Sequence, residues 1–252
     1  FLSMLSNIVS EERPDAIAVA FDVGRKTFRT EMFPDYKAQR EAAPEEFKGQ
    51  VDIIRDTLET LGITTLSREN YEADDILATL ATQAQDYETL IVTGDRDYLQ
   101  LVTDSTTVLY PMKGVSTLHR FTPEAVEDKY GLTPAQYPDF AALRGDPSDN
   151  LPGIHKVGEK AATKWIVKYG DLASLVEHAE EINGVVGNNF RERIEQVQMN
   201  RKLTQMITDM DLDVGPDDLA FREVKVADVA AKFDELEFGT NLRDRVLAAI
   251  PN

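Results

Sequence analysis

Thr89-Leu90-Ile91-Val92-Thr93-Gly94-Asp95-Arg96-Asp97 opens on a short apolar run, breaks at a glycine and closes on two acids one residue apart. Apolar, β-prone residues bounded by a turn signal predict a buried strand, with the acids standing where it leaves the sheet. Ile17–Phe21 (I-A-V-A-F) repeats the pattern and ends at Asp22-Val23-Gly24; Thr107–Tyr110, closed by Pro111, is a third candidate. Helical patterns lie between them. Pro44–Leu61 carries Phe47, Val51, Ile54, Leu58 and Leu61 at spacings of three and four before Gly62, and Glu72–Gln85 carries Ile76, Leu77, Leu80 and Ala84. Strands alternating with helices predict an α/β fold with a mainly parallel central sheet flanked by helices. In such a sheet the ligand crevice lies beyond the carboxyl ends of the strands, where Asp22 and Asp95 fall.

Two further acidic groups share this placement: Glu72-Ala73-Asp74-Asp75 before a helix, and Gly145-Asp146-Pro147-Ser148-Asp149-Asn150 in a turn. Acids are common in first helical turns and in Asp-rich turns, so each group alone has a structural explanation. Their joint occurrence favours a metal site. Two unit charges about 4 Å apart repel by roughly 4 kcal/mol at an effective dielectric near 20. Eight converging carboxylates therefore call for cations, and hard divalent ions with oxygen ligands fit. Paired ions of this kind clamp phosphoryl groups, so the chain reads as a metal-dependent phosphodiesterase.

The net charge of -18 argues superficially against a nucleic-acid partner, because phosphate binding relies on basic surface. The distribution matters more than the sum. Basic residues gather in Arg25–Arg40, interleaved with Phe28, Phe33 and Tyr36, and again in Lys156–Lys168. Cations beside stacking rings suit a nucleic-acid arm, although a solvated charged loop would look similar. Gly24-Arg25-Lys26-Thr27 lacks the upstream glycine of a phosphate loop, which argues against nucleoside triphosphate binding. Leu151–Lys160 (L-P-G-I-H-K-V-G-E-K) has two glycines five apart ahead of an Ala- and Lys-rich helix. That is the pattern of a hairpin whose backbone N–H groups face a phosphate; the alternative is a plain Pro-Gly loop. Trp165 and Tyr169 read as core.

Absences narrow the classes. The chain has no cysteine, which excludes disulfides and thiolate chemistry, and its three histidines (His119, His155, His178) lack zinc-ligand spacing. No apolar run is long enough to span a membrane and no signal peptide is visible, which fits a soluble cytoplasmic protein. After about residue 120 helices are expected at Thr122–Tyr130, Thr133–Arg144, Gly158–Tyr169 and Asp171–His178. Gly184–Gly187 is expected as a loop, followed by a helix through Phe190, Ile194 and Val197, with an acidic turn at Asp217–Asp218 and a last helix over Val226–Leu236.

Taken in order, Phe21-Asp22, Phe28-Arg29, Tyr36-Lys37-Ala38-Gln39-Arg40, Tyr71–Asp75, Thr93–Asp97, Gly145–Pro152 and Gly153–Lys160 resemble the 5′-nuclease superfamily. The nearest resemblance is to the 5′→3′ exonuclease (flap endonuclease) domain of bacterial DNA polymerase I, over nearly the whole chain. The resemblance implies a PIN-like or resolvase-like core over 1–150, with an arch segment at 25–48. It implies a helical DNA-binding subdomain over 151–252, with a helix-three-turn-helix hairpin at 151–169. It implies two-metal-ion hydrolysis of phosphodiester bonds at 5′ flaps and primer ends, in DNA replication and repair, with Mg²⁺ or Mn²⁺. By motif position Asp22, Glu72, Asp74 and Asp95 would serve the first ion; Asp97, Asp146 and Asp149 would serve the second, with Asp75 close by.

Lys37 and Arg40 would stabilise the charge developing on the scissile phosphate. Arg29, Tyr36, Gly153, Ile154, Lys156, Val157, Gly158 and Lys160 would contact DNA, and K⁺ is a candidate ion at the hairpin carbonyls. The implied partners are flapped or nicked duplex DNA, an RNA primer and a covalently linked polymerase domain, for a monomer acting near the nucleoid. Leu236–Leu247 resembles the join to such a polymerase. Family members also carry a catalytic Asp on a strand upstream of what is here Phe1, so a ninth carboxylate is expected before that residue. Two rivals stay open: a non-catalytic, structure-selective DNA-binding module, and a PIN-like ribonuclease.

Overall fold

The computed structural model describes residues 1–252 apart from 43, 45, 46, 48, 113–116, 251 and 252. Its strands are β1 (Ala18–Ala20), β2 (Thr64–Leu66), β3 (Thr89–Val92), β4 (Thr106–Pro111) and β5 (Leu118–Phe121). Its helices are α1 (Leu2–Glu12), α2 (Phe28–Met32), α3 (Gln50–Thr60), α4 (Ala73–Gln83), α5 (Pro123–Tyr130), α6 (Tyr137–Arg144), α7 (Glu159–Tyr169), α8 (Leu172–Glu177), α9 (Gly184–Arg191), α10 (Ile194–Thr204), α11 (Val226–Glu235) and α12 (Thr240–Ala249). Short 3₁₀ turns carry Arg96–Leu101 and Pro147–Asp149.

The chain divides into two compact units. The first comprises Phe1–Val23, Glu41–Ile76 and Asp211–Asn252; the second comprises Gly24–Arg40 and Leu77–Met210. In the first, β1 pairs parallel with β2, Ala18 opposite Thr64 and Ala20 opposite Leu66. Its core joins Leu2 of α1, Leu58 of α3, Ile63, Val229 and Phe233 of α11 and Val246 of α12. In the second, β3 pairs parallel with β4, and β5 returns antiparallel along the other edge of β4. Ile91, Leu99, Val108, Phe121, Phe140, Trp165 and Phe190 pack its core.

The expected strands and most expected helices are present. Thr122 caps α5 by accepting from Ala125 N at 3.3 Å, and Asp171 caps α8 by accepting from Ser174 N at 2.7 Å, as short oxygen side chains do at helix starts. The expected helix over Pro44–Leu61 begins in the structure at Gln50, and residues 45, 46 and 48 lie outside the described residues. The expected loop at Gly184–Gly187 is instead the start of α9. A Cβ at Gly187 would stand 1.8 Å from the Ile182 carbonyl oxygen. The glycine there permits close backbone approach within a helix rather than marking a turn. The helix expected to run from Phe190 through Val197 breaks after Arg191 and resumes as α10.

Candidate active site

The turn after β3 carries the first acidic pair. Asp95 is extended and accepts from Asp97 N at 2.8 Å, which fixes the peptide entering Asp97. Asp146 plays the same part in the second turn, accepting from Ser148 N at 2.7 Å and Ser148 Oγ at 2.6 Å. Side chains that bond the backbone two residues on are the usual device of Asp-initiated turns. Asp146 and Leu151 then exchange both backbone hydrogen bonds, at 2.9 and 2.8 Å, closing the loop that holds Asp149. The neck of that loop is two glycines. A Cβ at Gly153 would stand 2.0 Å from the Arg144 carbonyl oxygen, and one at Gly145 (φ 74) would stand 2.3 Å from Gly153 N. No side chain fits at either position without moving backbone.

These two turns bring Asp95, Asp97, Asp146 and Asp149 into electrostatic contact. Burial pushes the Asp97 carboxyl well above the usual carboxylate range; Asp95, Asp149 and Asp146 add to the shift, and Arg144 opposes it. Burial likewise raises Asp149, against the pull of Lys37 and Arg40, with Asp146 and Asp95 reinforcing it. Desolvation and like charge each disfavour the ionised form, so a carboxylate set of this kind favours cations.

Part of that positive charge comes from the arm that follows Gly24. Arg40 Nη2 lies 2.8 Å from Asp149 Oδ1, Tyr36 OH donates to Asp149 Oδ2 at 3.2 Å, and Lys37 Nζ stands 4.0 Å from the same oxygen. Lys37 N also donates to the Asp149 carbonyl at 3.0 Å, and Lys37 holds φ at 55°. A lysine in the left-handed region costs about 1–3 kcal/mol and persists where surroundings over-determine it. Gln39 Nε2 donates to the Pro147 and Ser148 carbonyls, and Asn150 Nδ2 to the Asp35 carbonyl. Arm and loop are thus joined at several points.

The remaining expected site residues have partners of their own. In the first unit Asp22 Oδ1 accepts from Ala73 N at 2.7 Å, and Asp75 Oδ2 accepts from Glu72 N at 3.2 Å. Glu72 and Asp75 are buried, Asp74 is half-buried and Asp22 is exposed. Among the described residues no three acidic or histidine side chains converge closely enough to hold an ion unaided.

Arg29, expected on DNA, is buried: its Nε donates to the Leu203 carbonyl at 2.8 Å and its Nη2 to the Gln205 carbonyl at 3.0 Å. Its guanidinium anchors the arm instead of facing solvent. Ile154 and Val157 are also buried, with Val157 N donating to the Ile154 carbonyl at 3.0 Å, so they pack the turn that presents Lys156. Lys156 (φ 66), Gly158 and Lys160 are exposed, and Gly158 opens α7 with nothing within 4 Å of a Cβ placed on it. The sequence reading missed Gln39, although it lies inside the Tyr36–Arg40 motif, and it missed Arg144.

Comparison with known proteins matches residues 1–131 to the family described as 5′-3′ exonuclease, N-terminal resolvase-like domain. Residues 132–227 match 5′-3′ exonuclease, C-terminal SAM fold. The chain belongs to the 5′-3′ exonuclease family. This exonuclease chain is 56% identical to DNA polymerase I of Mycobacterium tuberculosis (strain ATCC 25618 / H37Rv) over 248 residues, covering 98% of the chain and 27% of that protein. It therefore spans about a quarter of the length of such relatives. A T5 5′-exonuclease structure with divalent zinc bound superposes with a TM-score of 0.68 at 19% identity, over 99% of this chain and 88% of that one. A bacteriophage T5 flap endonuclease in a pseudo-enzyme-product complex with DNA and metal ions gives 0.67 at 19%, over 99% and 89%. At that identity the likeness establishes the exonuclease fold.

Proposed function

We propose that this chain is a structure-specific 5′ nuclease that hydrolyses phosphodiester bonds at 5′ flaps and primer ends of duplex DNA. The observation that carries the reading is the seating of Lys37 and Arg40 on Asp149, which with Asp97 is one of two carboxyls that burial pushes above the usual range beside Asp95 and Asp146. Hard oxygen donors that repel one another fit divalent cations, Mg²⁺ or Mn²⁺. Asp95, Asp97, Asp146 and Asp149 would hold one or both ions, and Asp22, Glu72, Asp74 and Asp75 enter the reading by motif position. Bound there, two such ions supply polarisation of the phosphoryl oxygens and a more acidic water.

The chain's own residues do the rest. Lys37 and Arg40 are a cationic pair within reach of a phosphate brought to Asp149, and an arginine fork suits the non-bridging oxygens. Preorganised by Tyr36, Gln39 and the left-handed turn at Lys37, they need little rearrangement when charge develops. Lys156, Gly158 and Lys160 offer exposed cations and backbone at a helix start, suited to grip phosphates by shape. K⁺ at this hairpin, an RNA primer as substrate, an attached polymerase domain, a monomeric state and a place on nucleoid DNA belong to the same proposal. The division at residue 150 into nuclease core and DNA-binding part belongs to it too. Among the described residues, no helix is long and apolar enough to cross a membrane.

One observation favours a second reading, a DNA-binding module without catalysis: no three ligating side chains already converge among the described residues. A labelled 5′-flap duplex separates the two. Cleavage with Mg²⁺ or Mn²⁺ that stops with chelator supports the nuclease, whereas binding without cleavage in either metal supports the module.

A further inference from the structure

The last carbonyls of a helix have no partner inside it, and those of α10 are taken by side chains from the two segments that carry candidate-site residues. Arg29 Nε donates to the Leu203 carbonyl, Gln100 Nε2 to the Thr204 carbonyl at 3.0 Å, and Arg29 Nη2 to the Gln205 carbonyl. Arg29 sits at the head of the arm that carries Lys37 and Arg40, and Gln100 lies in the 3₁₀ turn that carries Asp97. A buried guanidinium at a helix C-terminus is stabilised by both the carbonyls and the negative end of the helix dipole.

Gln100 is fully committed. Its Nε2 also donates to the Asp97 carbonyl at 2.7 Å, and its Oε1 accepts from Met206 N and Gln205 Nε2, each at 3.1 Å. Those four bonds use two donors and two lone pairs, the whole capacity of a carboxamide. Leu would lose all four and Glu would lose both donors. Asp97 therefore has both flanking peptide groups pinned by side chains: its N–H by Asp95 and its carbonyl by Gln100. The brace continues outward, since Arg201 Nη1 donates to Gln205 Oε1 at 2.7 Å and Arg201 also pairs with Asp139.

We propose that Gln100 and Arg29 are positioning residues that use the C-terminal end of α10 as a shared anchor. Gln100 sets the Cα frame of Asp97 for a divalent cation, and Arg29 sets the arm for the scissile phosphate. This rests on the nuclease reading for the role of the arm, but the cation part can be measured without cleavage. Partners that orient metal ligands from behind typically change metal affinity by about 10- to 100-fold when removed.

The test titrates Mn²⁺ onto the DNA-free chain by calorimetry and follows single-turnover cleavage of a 5′-flap duplex across Mn²⁺ concentrations. Gln100→Leu is expected to weaken Mn²⁺ binding about tenfold and to recover most of its cleavage rate at saturating metal. Arg29→Leu is expected to leave Mn²⁺ affinity within about twofold while slowing cleavage about tenfold at saturating metal, with Arg29→Lys restoring little, because one ammonium cannot span two carbonyls. A folded Gln100→Leu chain with wild-type Mn²⁺ affinity overturns the Asp97 part. Equal effects of both substitutions on Mn²⁺ affinity overturn the division of labour. Should Gln100→Leu fail to fold by circular dichroism, Gln205→Leu removes one of the same bonds and must shift Mn²⁺ affinity in the same direction; no shift overturns the proposal. A wild-type chain that binds Mn²⁺ but never cuts sinks the nuclease reading and the role given to Arg29, leaving the Gln100 claim to the calorimetry.

Discussion

The acids of Asp22 and Glu72–Asp75 and those of Asp95, Asp97, Asp146 and Asp149 look alike in the sequence, yet the fold treats them differently. In the first group, carboxylate oxygens of Asp22 and Asp75 accept from the backbone N–H groups of Ala73 and Glu72 at the start of α4. That is what a helix N-terminus wants in any protein. In the second group, Asp95 and Asp146 shape their own turns, while Asp97 and Asp149 are raised first by burial and then by neighbouring carboxylates. The second group also meets cationic side chains from a distant part of the chain, across a separation of 109 residues between Arg40 and Asp149. A carboxylate that accepts from a helix-start N–H steadies that helix; one buried beside other carboxylates gains most from a cation.

Four substitutions can break or sharpen that contrast. Asp95→Ala removes both a charge and the bond to Asp97 N, so flap cleavage should fall about 10³-fold, about 4 kcal/mol of barrier. DNA affinity measured with Ca²⁺ should stay within about threefold, and normal Mg²⁺-dependent cleavage would end the assignment. Lys37→Ala should slow the single-turnover rate about 10²-fold, the usual scale for one electrostatic donor to a developing charge. An unchanged rate would return Lys37 to a purely structural role on Asp149.

Asp75→Ala tests the other side. Loss of a buried cap should cost about 1–2 kcal/mol in chemical denaturation. Nuclease activity of the folded fraction should fall much less than with Asp95→Ala, and equal losses would erase the distinction. The smallest effect is expected from Asp97→Asn without metal. The Asp97 carboxyl titrates above its unfolded value, so the stability it contributes is present at low pH, when it is protonated. That stability is lost as pH rises from about 4, the ordinary value, through the raised folded one. The Asn chain should therefore melt roughly 2–4 °C above wild type at neutral pH, with the gap closing near pH 4.

Much of this was legible because it is local. Strand ends, the acids that follow them, the caps at Thr122 and Asp171 and the helical face of α4 all depend on neighbours within a turn or two. β2 and β5 were missed for physical reasons: Thr64–Leu66 is three residues long, and Leu118–Phe121 carries His119 and Arg120 between its apolar ends. Arg29 read as a phosphate ligand because a buried arginine looks no different in sequence from an exposed one. Its two carbonyl acceptors lie 174 and 176 residues away. Gln100 was silent for the same reason, since three of its four bonds reach residues 204–206.

The glycine neck at Gly145 and Gly153 bears on how this chain can vary. Its two backbone stretches touch where any side chain would intrude, so the Asp146–Asp149 loop is tied off like a bead on a thread. In a library randomising every position, those two glycines should be as intolerant as the carboxylates they enclose, though neither carries a functional group.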